Sequence, residues 1–256
     1  MNLDIFSIPM VAKMFPTDYV GFTFFIGYMA MFAASVFFFF EMGSVSKKWR
    51  KSLLISGLIT GIAAVHYLYM RDYWGATFDV NTMAGDSPTF FRYVDWILTV
   101  PLMCVEFYLL TVLAGAKRSL LYKLIGASLW MLVAGYIGET GTPGDTNHSV
   151  MWGVISTLGY VYILYTAWFG EVAKLAENAS DTIKCGVRYL AWFVLVGWAI
   201  YPIGYMCMEG GWLNMWLNWE AKNVDLFYNI ADAINKIGFG LVVYSIAITE
   251  SAKETA

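Results

Sequence analysis

The sequence predicts an all-α membrane protein: a bundle of seven transmembrane helices, N-terminus outside and C-terminus in the cytoplasm. Three observations carry the prediction. Of 256 residues, 59% are hydrophobic and only 14% are charged, against a soluble average of ~25% charged. Seven stretches approach the ~20 largely apolar residues that cross a bilayer. The charged residues between those stretches alternate in sign, basic and then acidic.

The stretches run from about 19 to 41, 53 to 69, 88 to 113, 120 to 137, 150 to 169, 187 to 208 and 226 to 248. Lys47, Lys48, Arg50 and Lys51 separate the first two. Lys117, Arg118 and Lys123 lie between the third and fourth, and Lys174, Lys184 and Arg188 flank the link from the fifth to the sixth. The alternate connections carry Asp72, Asp79 and Asp86, then Glu139 and Asp145, then Glu209 and Glu220. Basic loops remain cytoplasmic, which sets the orientation; an odd number of spans agrees with it.

The first twenty residues do not resemble a cleaved signal, because Asp4, Pro9, Lys13, Pro16 and Asp18 interrupt them. Residues 1–18 therefore form an extramembrane lead-in and 249–256 a cytoplasmic tail. The stretch from Gly75 to Asp86 is the one long polar loop, and Ala176 to Thr182 is a polar link. Neither a repeat nor a linker divides the chain, so residues 1–256 make one domain. A net charge of -3 argues against a nucleic-acid partner, which calls for a basic stripe. Cys104, Cys185 and Cys207 are scattered in apolar segments, with no paired spacing, and are expected as small core residues. No metal site is expected.

The charged residues inside the spans are the informative ones. Arg92, Asp95, Glu106, Asp232 and Lys236 all fall there. Each costs roughly 2.5–3.5 kcal/mol at a helix centre. Unpaired, five would cost on the order of 10 kcal/mol, comparable to the whole stability of a protein. They are therefore expected to be paired and functional, the plainer alternative being structural salt bridges between helices. At ~100° per residue, Arg92, Asp95, Thr99, Met103 and Glu106 share an arc of roughly 80°, a stripe facing the bundle. Asp95 and Glu106 are about 16 Å apart along the axis at ~1.5 Å per residue, Asp95 on the outer half and Glu106 near the cytoplasmic end. Asp232 and Lys236 share a face four residues apart. Lys236 lies near mid-depth, with Asp95 and Asp232 just outside it and Glu106 beyond it.

A simple ammonium is a poor relay, because it holds its proton too tightly at a reference pKa of ~10.4. A buried amine is instead suited to Schiff-base chemistry with an aldehyde. The charged product needs a counter-anion, which two carboxylates at its level supply. Trp96 beside Asp95, and Trp198, Tyr201 and Pro202 on the sixth span, lie at the same depth and make a flat slot for a conjugated polyene. Aromatics at this spacing are often plain core; their coincidence with Lys236 favours the slot.

The run Arg92-Tyr93-Val94-Asp95-Trp96 through Thr99-Val100-Pro101-Leu102 resembles the third-helix signature of the microbial rhodopsins, and of the proteorhodopsins in particular. Trp198-Ala199-Ile200-Tyr201-Pro202 and Asp232-Ala233-Ile234-Asn235-Lys236 resemble the signatures of helices six and seven. The resemblance extends from the first helix to Glu250. It implies all-trans retinal covalently bound to Lys236 as a protonated Schiff base, Asp95 as proton acceptor, Glu106 as proton donor, Asp232 as second counterion and Arg92 tuning both aspartates. The combination Asp95, Thr99 and Glu106 is that of outward proton pumps. His66 matches the histidine that hydrogen-bonds the acceptor, and Tyr67 falls beside it among the retinal-contacting positions. The family also implies a multi-pass protein of a prokaryotic inner (plasma) membrane, with protons and the lipid bilayer as partners, forming pentamers or hexamers. Two features depart from the pattern: the loop after Trp74 is longer than usual, and the colour-tuning position holds Met103, whose apolar side chain implies green absorption.

Two other readings compete with the light-driven outward pump. A light sensor of the same family would cycle over many seconds and commonly lacks the carboxylic donor found here as Glu106. A retinal-free receptor or transporter would tend to show inverted repeats and broken mid-membrane helices, and neither is evident.

Overall fold

The computed structural model describes residues 15–141, 145–208, 211, 213–217 and 220–255. The lead-in through residue 14, with Asp4, Pro9 and Lys13, lies outside the described residues, as does Glu209. The helices are α1 (Tyr19–Glu41), α2 (Arg50–Thr77), α3 (Thr89–Thr111), α4 (Arg118–Glu139), α5 (Thr146–Trp168), α6 (Glu171–Glu177), α7 (Asp181–Trp192), α8 (Ile200–Cys207), α9 (Asn214–Leu217) and α10 (Ala221–Thr255). Among the described residues, seven spans are long and apolar enough to cross a membrane, the fifth running through α5 and α6, the sixth through α7 and α8, and the seventh along α10. The described residues hold no strand, only an isolated antiparallel bridge from Asp79 to Ala84.

Local chemistry sets the ends. The Asp18 carboxylate accepts from Gly21 N at 2.7 Å and starts α1. Pro88 precedes α3, Asp145 caps α5 through His148 N, and Ser180 caps α7 through Ile183 N. The Asp18, Asp145 and Ser180 side chains satisfy orphan donors of the first turn. Gly115, at φ +95°, closes the turn after α3, a left-handed geometry that glycine adopts without strain.

Several elements are longer than their apolar runs. α2 continues to Thr77, its last turn anchored by the buried Trp74, whose indole N–H is held by Asp18. Gly75 to Thr77 is thus helix rather than loop. The expected tail from 249 is helical to Thr255, with Lys253 bonded to Glu250 at 2.7 Å and Glu254 paired with Lys48. In the link from Ala176 to Thr182, only Asn178 to Ser180 lie outside helices.

Span six is not the uninterrupted α-helix its composition suggests. Phe193 to Gly197 form a π-helical turn just before Trp198. Such a turn releases carbonyls from the regular ladder, and in lipid each must find another donor. Here they do: Tyr160 Oη donates to Val194 O at 3.0 Å and to Leu195 O at 3.1 Å, and Asn235 Nδ2 donates to Gly197 O at 3.0 Å. Spans five and seven therefore hold the distortion open.

Apolar side chains lie on both sides of the helices. Phe24, Phe38, Leu53, Phe107 and Phe239 are buried inside, while Phe22, Ile26, Phe32, Phe40 and Leu158 face outward. An apolar exterior of this extent suits hydrocarbon, not water. Cys104 and Cys207 are buried as expected, but Cys185 is exposed, because it sits near the start of α7 on the side away from the bundle.

Candidate functional site: a buried lysine between two carboxylates

The third and seventh spans bring their charges together inside the bundle. Lys236 Nζ lies 2.9 Å from Asp95 Oδ2 and 3.1 Å from Asp232 Oδ1. Lys236 is 2% exposed, Asp95 0% and Asp232 1%. At these distances and this burial the single positive charge of Lys236 is shared between two carboxylates. Removing one partner from such a set typically costs ~3–5 kcal/mol, because a charge is left uncompensated.

The two aspartates are held differently. Asp232 accepts from Tyr201 Oη at 2.5 Å, from Tyr67 Oη at 2.9 Å and from the Trp96 indole N–H at 3.2 Å. Its two oxygens are thus fixed by three side chains on three spans. Asp95 Oδ2 is bound to the lysine, but Oδ1 is buried without a hydrogen-bond partner among the described residues. The Thr99 hydroxyl donates to the Asp95 backbone carbonyl at 2.9 Å.

Three further expected residues surround this pair. His66 Nδ1 is 3.9 Å from Asp95 Oδ1, too long for a hydrogen bond, and sits 2.9 Å from Ile62 O. Tyr67, expected at the chromophore, directs its hydroxyl to Asp232. Arg92 does not hydrogen-bond the Asp95–Asp232 pair. Its Nη2 donates to Asp225 Oδ1 and to Asn229 Oδ1, each at 2.8 Å, and its Nε to Asp225 at 3.2 Å. Asp225 and Asn229 are absent from the sequence reading, although a signal for them exists. Asp225, Asn229, Asp232 and Lys236 follow one another at steps of four, three and four residues, which is one face of a helix.

Glu106 occupies its own apolar pocket. It is 0% exposed, with Ser56 Oγ 3.5 Å from its Oε1 and no hydrogen-bond partner at Oε2 among the described residues. The expectation that every intramembrane charge is ion-paired fails here. The reason is physical: a carboxylic acid can enter an apolar site carrying its proton and then needs no counter-charge.

A cavity of about 440 Å³ opens from Lys236, within the range of ~300–1,000 Å³ usual for ligand sites. Trp96, Met103, Trp198, Tyr201 and Pro202 line it together with Lys236 and Asp232. Flat rings on spans three and six, a buried amine at one side and an apolar remainder fit a linear conjugated aldehyde, which is how retinal would be held.

Residues 18–250 match the family described as bacteriorhodopsin-like protein. The chain belongs to that family. Among this family's members, the green-light absorbing proteorhodopsin of Gamma-proteobacterium EBAC31A08 is 43% identical over 243 residues, covering 92% of this chain and 89% of the relative. The blue-light absorbing proteorhodopsin of Gamma-proteobacterium Hot 75m4 is also 43% identical, with the same coverage. Equal similarity to both leaves colour to individual residues. The crystal structure of Exiguobacterium sibiricum rhodopsin superposes with a TM-score of 0.77 at 33% identity, covering 92% of this chain and 98% of that one. Membership and the seven spans make this rhodopsin-like chain a multi-pass prokaryotic membrane protein.

Proposed function

We propose that this chain is a light-driven pump that moves protons outward across the bacterial plasma membrane, with all-trans retinal bound covalently to Lys236. One observation carries the reading: a buried amine lies 2.9 Å and 3.1 Å from two carboxylates and opens onto an aromatic-walled cavity. Bound at Nζ, retinal supplies light absorption and a change of shape that redirects the Nζ proton.

The chain's own residues divide the remaining work. Asp95 receives the proton, because its Oδ2 is already in contact with Nζ and its Oδ1 is open. Thr99 fixes the backbone beneath it. Asp232, its oxygens held by Tyr201, Tyr67 and Trp96, remains the fixed counter-anion. Arg92, pinned to Asp225 one turn from Asp95, adds positive charge on the outer side, and His66 lies within electrostatic reach of Asp95. Glu106, about 16 Å from Asp95 along α3, holds the proton that later resupplies Nζ. Trp96, Met103, Trp198, Tyr201 and Pro202 exclude water from the cavity and orient the polyene.

Direction follows from the loops. Lys47, Lys48, Arg50 and Lys51 lie at the Glu106 end of the bundle, with Lys117, Arg118, Lys123, Lys174, Lys184 and Arg188. By the positive-inside rule that end is cytoplasmic. The N-terminus is then outside, the C-terminus inside, and the whole chain acts as one retinal-binding domain. The family resemblance supports assembly into pentamers or hexamers.

Cells making the chain and supplied with retinal should acidify their medium on illumination, and a protonophore should abolish the signal. No pH change, or alkalinisation, would overturn the proposal. Acidification absent together with a photocycle of many seconds would favour the light sensor.

A further inference from the structure

The π turn of span six is one residue wider than an α turn. Trp198 N donates to Phe193 O at 3.0 Å, five residues back. It thereby skips the Val194 carbonyl that a regular helix would engage. One extra residue is thus stored between Phe193 and Gly197. Absorbing it into a plain α-helix would rotate one half of the span against the other by about 100° and shift it by about 1.5 Å.

The residues just beyond the turn make that rotation consequential. Trp198 lines the cavity at Lys236. Tyr201, three residues on, donates to Asp232 Oδ1 at 2.5 Å. A rotation of about 100° carries both off the face that meets the cavity.

Two side chains on neighbouring spans hold the turn. Asn235 Nδ2 donates to Gly197 O at 3.0 Å and lies 3.4 Å from Tyr201 Oη. Tyr160, on span five, shares its one hydroxyl proton between Val194 O at 3.0 Å and Leu195 O at 3.1 Å. Tyr160 is half-buried and lines the same cavity. Val194 is 0% exposed, so water cannot replace the hydroxyl at its carbonyl. Without Tyr160 Oη, the donor left for that carbonyl is the Trp198 amide, whose capture turns the π turn into an α turn.

We infer that Tyr160 is a positioning residue: its hydroxyl keeps the extra residue in the π turn and so sets the register that puts Trp198 at the cavity and Tyr201 on Asp232. This rests on the retinal reading and deepens it, because Asp232 is the fixed counter-anion there. The effect of Tyr160 on Asp232 passes through span six.

Tyr160→Phe keeps the ring and removes the hydroxyl. The first test uses apoprotein in phosphatidylcholine nanodiscs, with heavy carbon at the valine carbonyls and heavy nitrogen in leucine. The pair Val-Leu occurs at 112–113 and 194–195, so NMR reads two peptide signals. The Val194–Leu195 signal should move in Tyr160→Phe, while Val112–Leu113 stays as the internal reference. The second test is the visible band of the retinal-loaded chain, which should move to the blue. Asp232 without the Tyr201 bond concentrates more negative charge at Nζ, and this stabilises the positive charge there more before excitation than after it. A third variant deletes Val196, which is 58% exposed, and so removes the extra residue itself. In Tyr160→Phe lacking Val196, span six can run as plain α-helix with Trp198 and Tyr201 in place, and the original colour should return. A tyrosine that merely packs would lower pigment stability without moving the signal or the band. An unmoved Val194–Leu195 signal, an unmoved band, or a shift that the deletion leaves in place would overturn the register role. If Tyr160→Phe forms no pigment, the apoprotein signal and the chain lacking Val196 carry the test. An unmodified chain that takes up no retinal would remove the retinal reading, while the apoprotein signal would still decide the role of Tyr160 in the turn.

Discussion

Replacing Glu106 by glutamine separates the two halves of the transport cycle. Glutamine has nearly the same shape and can keep the contact to Ser56 Oγ, 3.5 Å from Glu106 Oε1, so the bundle should fold and take up retinal normally. What disappears is the transferable proton on the cytoplasmic side. Asp95 lies about 16 Å away along α3, and its own exchange with Nζ spans only 2.9 Å, so the first transfer should be untouched. A well-placed proton donor contributes ~10²–10⁴ in rate, equal to about 3–5 kcal/mol at ~1.36 kcal/mol per tenfold. Recovery of the dark pigment, followed by flash photolysis, should slow by that factor. A small membrane-permeant weak acid should restore part of the rate. Recovery at the normal rate, or equal slowing of the first transfer, would refute the donor assignment and the depth argument behind it.

Asp95→Asn should leave a coloured pigment whose absorption moves to the red and whose illumination produces no acidification, because one of the two anions at Nζ is gone; visible spectra and pH recordings check both. The purified pigment should absorb in the green, since the cavity position at Met103 is apolar, and a blue maximum would contradict this. Gly197→Ala should drive a methyl into the Asn235 amide, which a Cβ there would overlap. Losing the Asn235 bond to the Gly197 carbonyl leaves a buried polar group unmatched, at a cost of ~1–3 kcal/mol, visible as earlier thermal bleaching.

The seven spans were legible because composition and loop charge dominate a membrane sequence. The stripe Arg92, Asp95, Thr99, Met103 and Glu106 was legible because helical period alone places it inside, and all five residues are buried. Asp225 escaped because it lies one residue before the apolar window that defined the seventh span, although its spacing to Asn229 and Asp232 marks the same face. Glu139 looked like a loop acid; it is the last residue of α4, and the hydroxyls of Thr89 and Tyr93 that bond its carboxylate are distant in sequence. The π turn at Phe193 to Gly197 is a tertiary effect, stabilised by donors on two other spans, and no local pattern announces it. The hydrogen-bond partner of Arg92 was not legible for a related reason. Depth along a helix places the guanidinium near the aspartates, but it cannot choose among three carboxylates at the same end.

The central claim is that Lys236 carries the chromophore. Pigment made with retinal, reduced to fix the linkage and digested, should give a Lys236-containing peptide heavier by one retinyl group, while the other lysine peptides keep their unmodified masses. A Lys236 peptide of unmodified mass from fully coloured pigment would contradict the account.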